Sequence, residues 1–279
     1  MTRFERPESV AEAARLLAAG EWAVLAGGTD LYPAHVGRSI AGPVLDITGI
    51  AGLRGIRRDA DGGWTIGATT TWTDIVRADL PPLFDALKAA AREVGGVQIQ
   101  NAGTVAGNVC NASPAADGAP VLMALDAVVV LQSERGEREL AVERFVRGNR
   151  RTARAADELV VAIRVPPRSA GARSAFIKLG GRRYLTISMT MVALVVDVDE
   201  HGTVAWAGVA VGSCAVVARR LPAFEARLVG ARLADTLETL IEPGDLAPLV
   251  PIDDLRASAN YRRDATLTLL RRALASVRA

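Results

Sequence analysis

The sequence predicts an α+β chain of two domains, and three observations carry this. Residues 1–55 alternate short apolar runs with one helical periodicity, in the order β-α-β-β. Residues 166–173, rich in Pro, Ser, Gly and Arg, then read as a boundary. Beyond it come three strand-like runs followed by helical segments. A length of 279 residues suits one large or two ordinary domains.

Taken in order, residues 4–7 read as a short strand. Ser9-Val10-Ala11-Glu12 is a capping box, in which a hydroxyl and a carboxylate satisfy the first free N–H groups of a helix. Val10, Ala13, Ala14 and Leu17 supply that helix's apolar face, and Gly20 ends it. Residues 22–26 and 43–47 are strands, closing a small α+β subdomain near residue 55. Residues 53–56 and 64–66 flank Asp61-Gly62-Gly63 as a hairpin. Thr71 to Asp74 starts a helix, and residues 82–94 make another with Leu83, Leu87, Ala90, Ala91 and Val94 on one side. Residues 120–125 are expected to be helical, and 127–131 and 159–165 to be strands. The first domain is thus 1–168, with subdomains at about 1–55 and 56–168. In 173–279, residues 174–179, 187–197 and 204–212 form a three-stranded antiparallel sheet, with a turn at His201-Gly202. Helices are expected at 223–228, 233–240 and 264–277, the last with Arg271, Arg272 and Arg278 opposite Leu267, Leu270 and Leu274.

Composition excludes several function classes. Basic and acidic residues number 33 and 31, so there is no electrostatic case for nucleic acid. Cys110 and Cys214 are the only cysteines and form no C-x-x-C. This rules out an iron–sulfur cluster held by this chain alone and a disulfide framework, and fits a reducing cytoplasm. His35 and His201 lack carboxylate or cysteine companions, so no metal site is expected. No signal-like segment and no apolar run of membrane-spanning length is present, and the expectation is a cytoplasmic protein without a membrane span. Lys88 and Lys178 are the only lysines among many arginines.

The chemistry is concentrated in two stretches. Residues 97–125 are rich in Gly, Ala, Asn, Ser and Thr, and Asp117 is the one carboxylate between Glu93 and Asp126. Serial small residues let main chain approach a bulky or anionic ligand and offer it N–H groups. A tightly packed turn between two sheets is the bland alternative. The second stretch, Val24-Leu25-Ala26-Gly27-Gly28-Thr29-Asp30-Leu31, is a strand running into a small-residue turn, a geometry that aims N–H groups at a pyrophosphate. Neither G-x-G-x-x-G nor G-K-[ST] occurs. Two such turns suggest one long phosphate-bearing ligand gripped twice.

A-G-G-T-D-L at 26–31, I-G-A-T-T-T at 66–71, Q-N-A-G-T-V-A-G-N with S-P-A-A-D at 100–117, and F-I-K-L-G-G-R-R at 176–183 resemble the FAD-binding medium subunit of molybdenum hydroxylases. These are relatives of carbon monoxide and xanthine dehydrogenases, and the resemblance runs from Phe4 to Arg262. It implies a PCMH-type FAD-binding fold followed by a domain like the carbon monoxide dehydrogenase flavoprotein C-terminal domain. It implies noncovalent FAD, with Leu25 to Leu31 and Thr104 to Asn108 (Ala106 and Gly107 among them) at the pyrophosphate and ribityl chain, and Val24, Ala102 and Gly103 among the cofactor-binding residues. Ser113 belongs to the same motif. Asp117 is implied at ribose hydroxyls, Val94 and Val160 at the adenine, Lys178 near the flavin, and Ile187, with Tyr184, at the isoalloxazine. Without the resemblance, Asp117 reads as a helix N-terminal Asp and Lys178 as a strand-edge Lys. The implied role is electron transfer from an iron–sulfur small subunit to FAD and on to an external acceptor. Molybdopterin and [2Fe-2S] clusters would sit only in partner subunits, a molybdenum large subunit among them, in a dimer of heterotrimers. A stand-alone FAD-dependent reductase or oxidase and a flavin-free scaffold stay open as alternatives. The chain departs from relatives that have two glycines at Ala106-Gly107; if that position needs φ > 0, Ala106 would be strained.

Overall fold

A computed structural model describes residues 3–278. The first layer is a parallel three-stranded sheet. β1 (Phe4–Glu5) is followed by helix α1 (Val10–Ala18), β2 (Ala23–Leu25) and β3 (Val44–Asp46), with spatial order β1-β3-β2. Ser9 Oγ accepts from the Glu12 N–H at 3.2 Å, as a cap should. The Glu12 carboxylate, however, reaches back to the Glu8 N–H, one residue beyond the box expected from sequence. Ala13 and Leu17 of α1 close a small core with Leu45, Ile47 and Leu159.

The second sheet is antiparallel. It contains β4 (Ile56–Arg58), β5 (Trp64–Gly67), β6 (Val128–Ser133), β7 (Gly136–Ala141) and a later strand of residues 159–165, ordered β4-β5-(159–165)-β6-β7. β7 is an edge strand whose Glu137, Arg138 and Glu139 are exposed. Charged edges resist unwanted pairing, and this one lacks the apolar alternation that marks a strand in sequence. β8 (Val146–Gly148) and β9 (Arg151–Thr152) form a separate ribbon, so residues 159–165 are β10 (Leu159–Val165).

Between sheets lie α2 (Trp72–Arg77), α3 (Asp85–Glu93), α4 (Val97–Ala102), α5 (Val105–Asn111), α6 (Gly118–Ala124) and α7 (Val142–Phe145). Thr71 and Asp74 form a complete capping box at α2. α4 and α5 occupy what reads in sequence as one ligand loop. At 6 and 7 residues, with small side chains, they are too short to show helical periodicity.

The third sheet comprises β11 (Arg173–Gly180), β12 (Ser188–Val198), β13 (Val204–Gly212) and β14 (Arg219–Arg220). The first three match the strands expected from sequence; the fourth is a two-residue edge. α8 (Pro222–Leu228) and α9 (Ala259–Arg278) pack on one face. The helix expected at 233–240 is not formed. The Leu233 N–H donates to the Gly202 carbonyl, tying the segment to the turn between β12 and β13, and only a 3-10 turn at Leu237–Thr239 remains.

The other face of this sheet takes α6, all seven of whose residues are buried. Gly208 of β13 permits the contact, since a Cβ there would lie 2.1 Å from the Ala124 carbonyl oxygen. One core therefore runs from Ile66 and Val129 through Val121 to Val195 and Ala210. Two ionic links cross the same junction. Arg220 pairs with Asp126, just beyond α6, at 3.3 Å and donates to the Met123 carbonyl near the end of α6 at 3.1 Å. At the start of α6, the Asp117 carboxylate accepts from Lys178 Nζ at 2.8 Å and from Ser188 Oγ at 2.9 Å.

The Asp117 and Lys178 side chains are 8% and 7% exposed. Burial pushes the Asp117 carboxyl above its ordinary range, while Lys178 and Ser188 pull it part of the way back. Replacing Lys178 by Met leaves a buried carboxylate without its cation, at roughly 3–5 kcal/mol. The folded variant then binds a proton more tightly than the unfolded chain, so its stability should fall as pH rises through the upward-shifted Asp117 range. Chemical denaturation at pH 5 and pH 8 should show Lys178→Met losing more relative to wild type at pH 8. Adding Asp117→Asn should remove most of that difference.

Candidate functional site

β2 ends with Leu25 buried in the core, and the chain turns at Ala26-Gly27. A Cβ on Gly27 would sit 1.8 Å from the Ala102 carbonyl oxygen, so the turn packs backbone to backbone on the end of α4. Gly28 follows at φ +70°, the left-handed conformation glycine adopts without steric cost. On the opposing wall, Thr104 caps α5 by accepting from the Gly107 N–H at 3.0 Å.

These two turns enclose a cavity of about 450 Å³. Val24, Ala26, Gly27, Gly28, Thr29, Asp30 and Leu31 line one side, and Gly103, Thr104, Gly107 and Asn108 the other, with Val94 between. Among the described residues, no carbonyl or side chain accepts from the N–H groups of Gly27 to Leu31. The Asn108 and Asn111 side-chain oxygens are buried without a hydrogen-bond partner. Buried polar atoms are normally paired, so these mark a surface shaped for a polar ligand. Its charged lining residues are Asp30 and Arg150, which form a two-point ion pair at 2.9 Å.

A second chamber of about 390 Å³ adjoins the first and shares Val24, Ala26, Gly107, Cys110 and Arg150 with it. Its walls combine apolar Ala106, Ile47, Leu159 and Val160 with Arg150, Thr152, Arg154 and Glu158. Ala106 lies in the helical first turn of α5 and is not left-handed, so the strain expected of alanine here does not arise.

The remaining sequence-predicted residues do not converge on this cavity. Leu25 and Ala102 shape it from behind. Asp117 and Lys178 line neither chamber; each is the other's partner at the junction. Thus Asp117 is neither free toward a ligand nor capping α6, and Lys178, although it lies on the edge strand β11, is buried against Asp117 rather than open to solvent. Ser113 and Ile187 line a different cavity of about 480 Å³. Tyr184 is 60% exposed and packs against the Arg183 guanidinium, lining none of the three.

Trp72, Ile99, Cys110, Asn111 and Arg150 also line the cavity, beyond the residues expected from sequence. Cys110 and Asn111 lie three residues beyond Gly107 and Asn108, which is one helical turn, so recognising α5 would have found them. Arg150 carries no comparable signal. Among the described residues, no group of His, Cys, Asp and Glu is placed to hold a metal, and no helix is long and apolar enough to cross a membrane.

Residues 1–168 match the family described as the FAD binding domain in molybdopterin dehydrogenase, and residues 175–277 match the CO dehydrogenase flavoprotein C-terminal domain. The nicotinate dehydrogenase FAD-subunit of Eubacterium barkeri is 36% identical over 78% of this chain and 74% of its own length. The carbon monoxide dehydrogenase medium chain of Hydrogenophaga pseudoflava is 33% identical over 98% of this chain and 96% of its own. In structure, the Hydrogenophaga pseudoflava carbon monoxide dehydrogenase lacking the Mo-pyranopterin moiety aligns with a TM-score of 0.86 at 29% identity, covering 99% and 96% of the two chains. Reconstituted CO dehydrogenase from Oligotropha carboxidovorans aligns at 0.88 and 28%, covering 100% and 98%. With both halves matched in order, and the two small-residue turns meeting at one cavity, this chain belongs to the FAD-binding medium subunits of the molybdenum hydroxylase family of oxidoreductases.

Proposed function

We propose that the cavity between the 26–31 turn and α5 holds FAD noncovalently, and that the chain carries electrons from an iron–sulfur subunit to an external acceptor. The observation that supports this most is that Gly27 to Leu31, whose N–H groups are unpartnered, and Asn108 and Asn111, whose side-chain oxygens are unpartnered, line one cavity. The donor set fits a pyrophosphate and a polyhydroxyl chain, and the adjoining chamber, with Ile47, Leu159 and Val160 on its walls beside polar groups, fits an adenine. Bound FAD supplies a redox carrier that accepts and releases electrons. The chain's own residues bind, orient and shield it. On this reading 1–168 is the FAD-binding domain and 173–279 supports it through the α6 junction. The molybdenum and iron–sulfur chemistry belongs to partner chains, in a complex of the kind that the relatives' names as medium chains and FAD-subunits suggest.

The flavin should leave completely on acid precipitation, because neither turn presents a group poised for covalent attachment. The supernatant should contain a yellow chromophore of FAD mass; colour retained in the pellet overturns this.

Gly107→Val should lower flavin content at least tenfold in a protein that keeps its circular dichroism. A Cβ there lies 2.7 Å from Thr104 Oγ1, displacing the cap and filling the ligand wall. Full flavin occupancy in the folded variant would make the turn structural only.

The isolated chain should not oxidise an organic substrate, although dithionite should bleach its flavin and an acceptor restore it. Anaerobic bleaching by substrate should appear only with the partner chains present. Rapid turnover by the isolated chain would favour a stand-alone reductase or oxidase instead.

A further inference from the structure

The two chambers share one charged residue, Arg150. It is placed with effort. Its backbone is left-handed at φ +54°, unusual and unfavourable for a residue with a side chain. Its N–H donates to the carbonyl of Ala112, itself at φ +50° at the end of α5. The short β8–β9 turn thus carries Arg150 onto the cavity wall, 120 residues from the Asp30 it meets there.

A pyrophosphate brings two negative charges into a site that otherwise offers it amides, hydroxyls and carboxamides. Among the described residues lining the main chamber, Arg150 is the cation. Arg154, in the second chamber, donates to the carbonyls of Ala155, Ala156 and Glu158. Asp30, by contrast, would repel a phosphate if left unpaired. The Asp30–Arg150 pair is held by two good hydrogen bonds, yet the side chains are 46% and 60% exposed. A pair so open to water contributes little stability, so its partners exchange readily. An arginine fork suits phosphate oxygens as well as it suits a carboxylate.

We propose that Arg150 is the charge-neutralising residue for the pyrophosphate of FAD. Asp30 holds its guanidinium at the cavity rim when the ligand is absent, and the phosphates displace that carboxylate when FAD enters. Arg150 is then a binding residue and Asp30 a positioning residue whose carboxylate competes with the ligand. This rests on the FAD reading of the cavity.

The experiment is equilibrium FAD binding to flavin-depleted full-length chain, by fluorescence quenching, at low and high salt. The proteins are wild type, Arg150→Gln, Arg150→Lys and Asp30→Asn. Arg150→Gln should weaken FAD roughly ten- to hundredfold, the scale of a lost charged hydrogen bond. It should also flatten the salt dependence, because screening acts on the charge that has been removed. Arg150→Lys should retain the salt dependence with intermediate affinity, and it serves as the test if the glutamine variant is unfolded by circular dichroism. Asp30→Asn should bind FAD at least as tightly as wild type. An Arg150→Gln affinity within twofold of wild type with unchanged salt dependence overturns the proposal while leaving FAD binding intact. Weakening by Asp30→Asn as large as that by Arg150→Gln also overturns it, since the ion pair itself would then be what the cavity requires. A wild-type chain that binds no FAD would instead refute the cofactor reading.

Discussion

The contact of the Gly27 turn with the Ala102 carbonyl is the constraint on which the cavity depends. β2 belongs to the parallel sheet, whereas α4 and α5 belong to the helical layer much later in the chain. Their backbones can supply one ligand site only if they touch, and at Gly27 there is no room for a single carbon atom. Holding two such surfaces in register requires a firm mount for the small parallel sheet. β10 provides it through strand alternation: Leu159 enters the core with α1 and β3, while Val160 enters the main core. Two adjacent residues of one strand therefore tie the first turn to the layer bearing the second.

Charge is handled in two different ways, and burial separates them. Asp117 and Lys178 are removed from water and mutually satisfied, with Ser188 taking the remaining carboxylate oxygen. Breaking such a pair strands a charge in a poor solvent, so it acts as a fixed link between α6 and the third sheet. Asp30 and Arg150 have comparable distances but lie in water, where exchange of partners carries little penalty. The hydrogen-bond lengths alone would not distinguish a strut from an exchangeable contact.

Much of the fold was legible because alternation marks β10, long apolar runs mark β12 and β13, and a clear apolar face marks α1 and α3. The elements that sequence does not reveal lack those signals for physical reasons. β7 is a charged edge, β14 has two residues, and α4 and α5 are short helices of small side chains. At 233–240 the periodicity is helical, but the hydrogen bond of Leu233 to the β12–β13 turn prevails over local propensity. In the site, the two turns were readable because glycine series have few uses. Contacts that depend on tertiary approach were not. Nothing local says that Asp117 and Lys178 face each other, or that an arginine after β8 reaches a turn 120 residues earlier.

The cavity's composition also bears on where chemical selectivity resides. Asp30 is ion-paired, Thr104 is occupied as a cap, and the asparagines do not titrate. Such a surface positions a cofactor but has no acid–base pair with which to choose among organic substrates. On the proposed reading, substitutions here alter how tightly the cofactor is held and how easily it is reduced. They leave substrate choice to the chain that contacts the substrate. This is consistent with relatives named for nicotinate and for carbon monoxide that resemble this chain about equally well, at 36% and 33% identity. One cofactor-holding cavity can serve enzymes with different substrates if the reacting carbon never enters it.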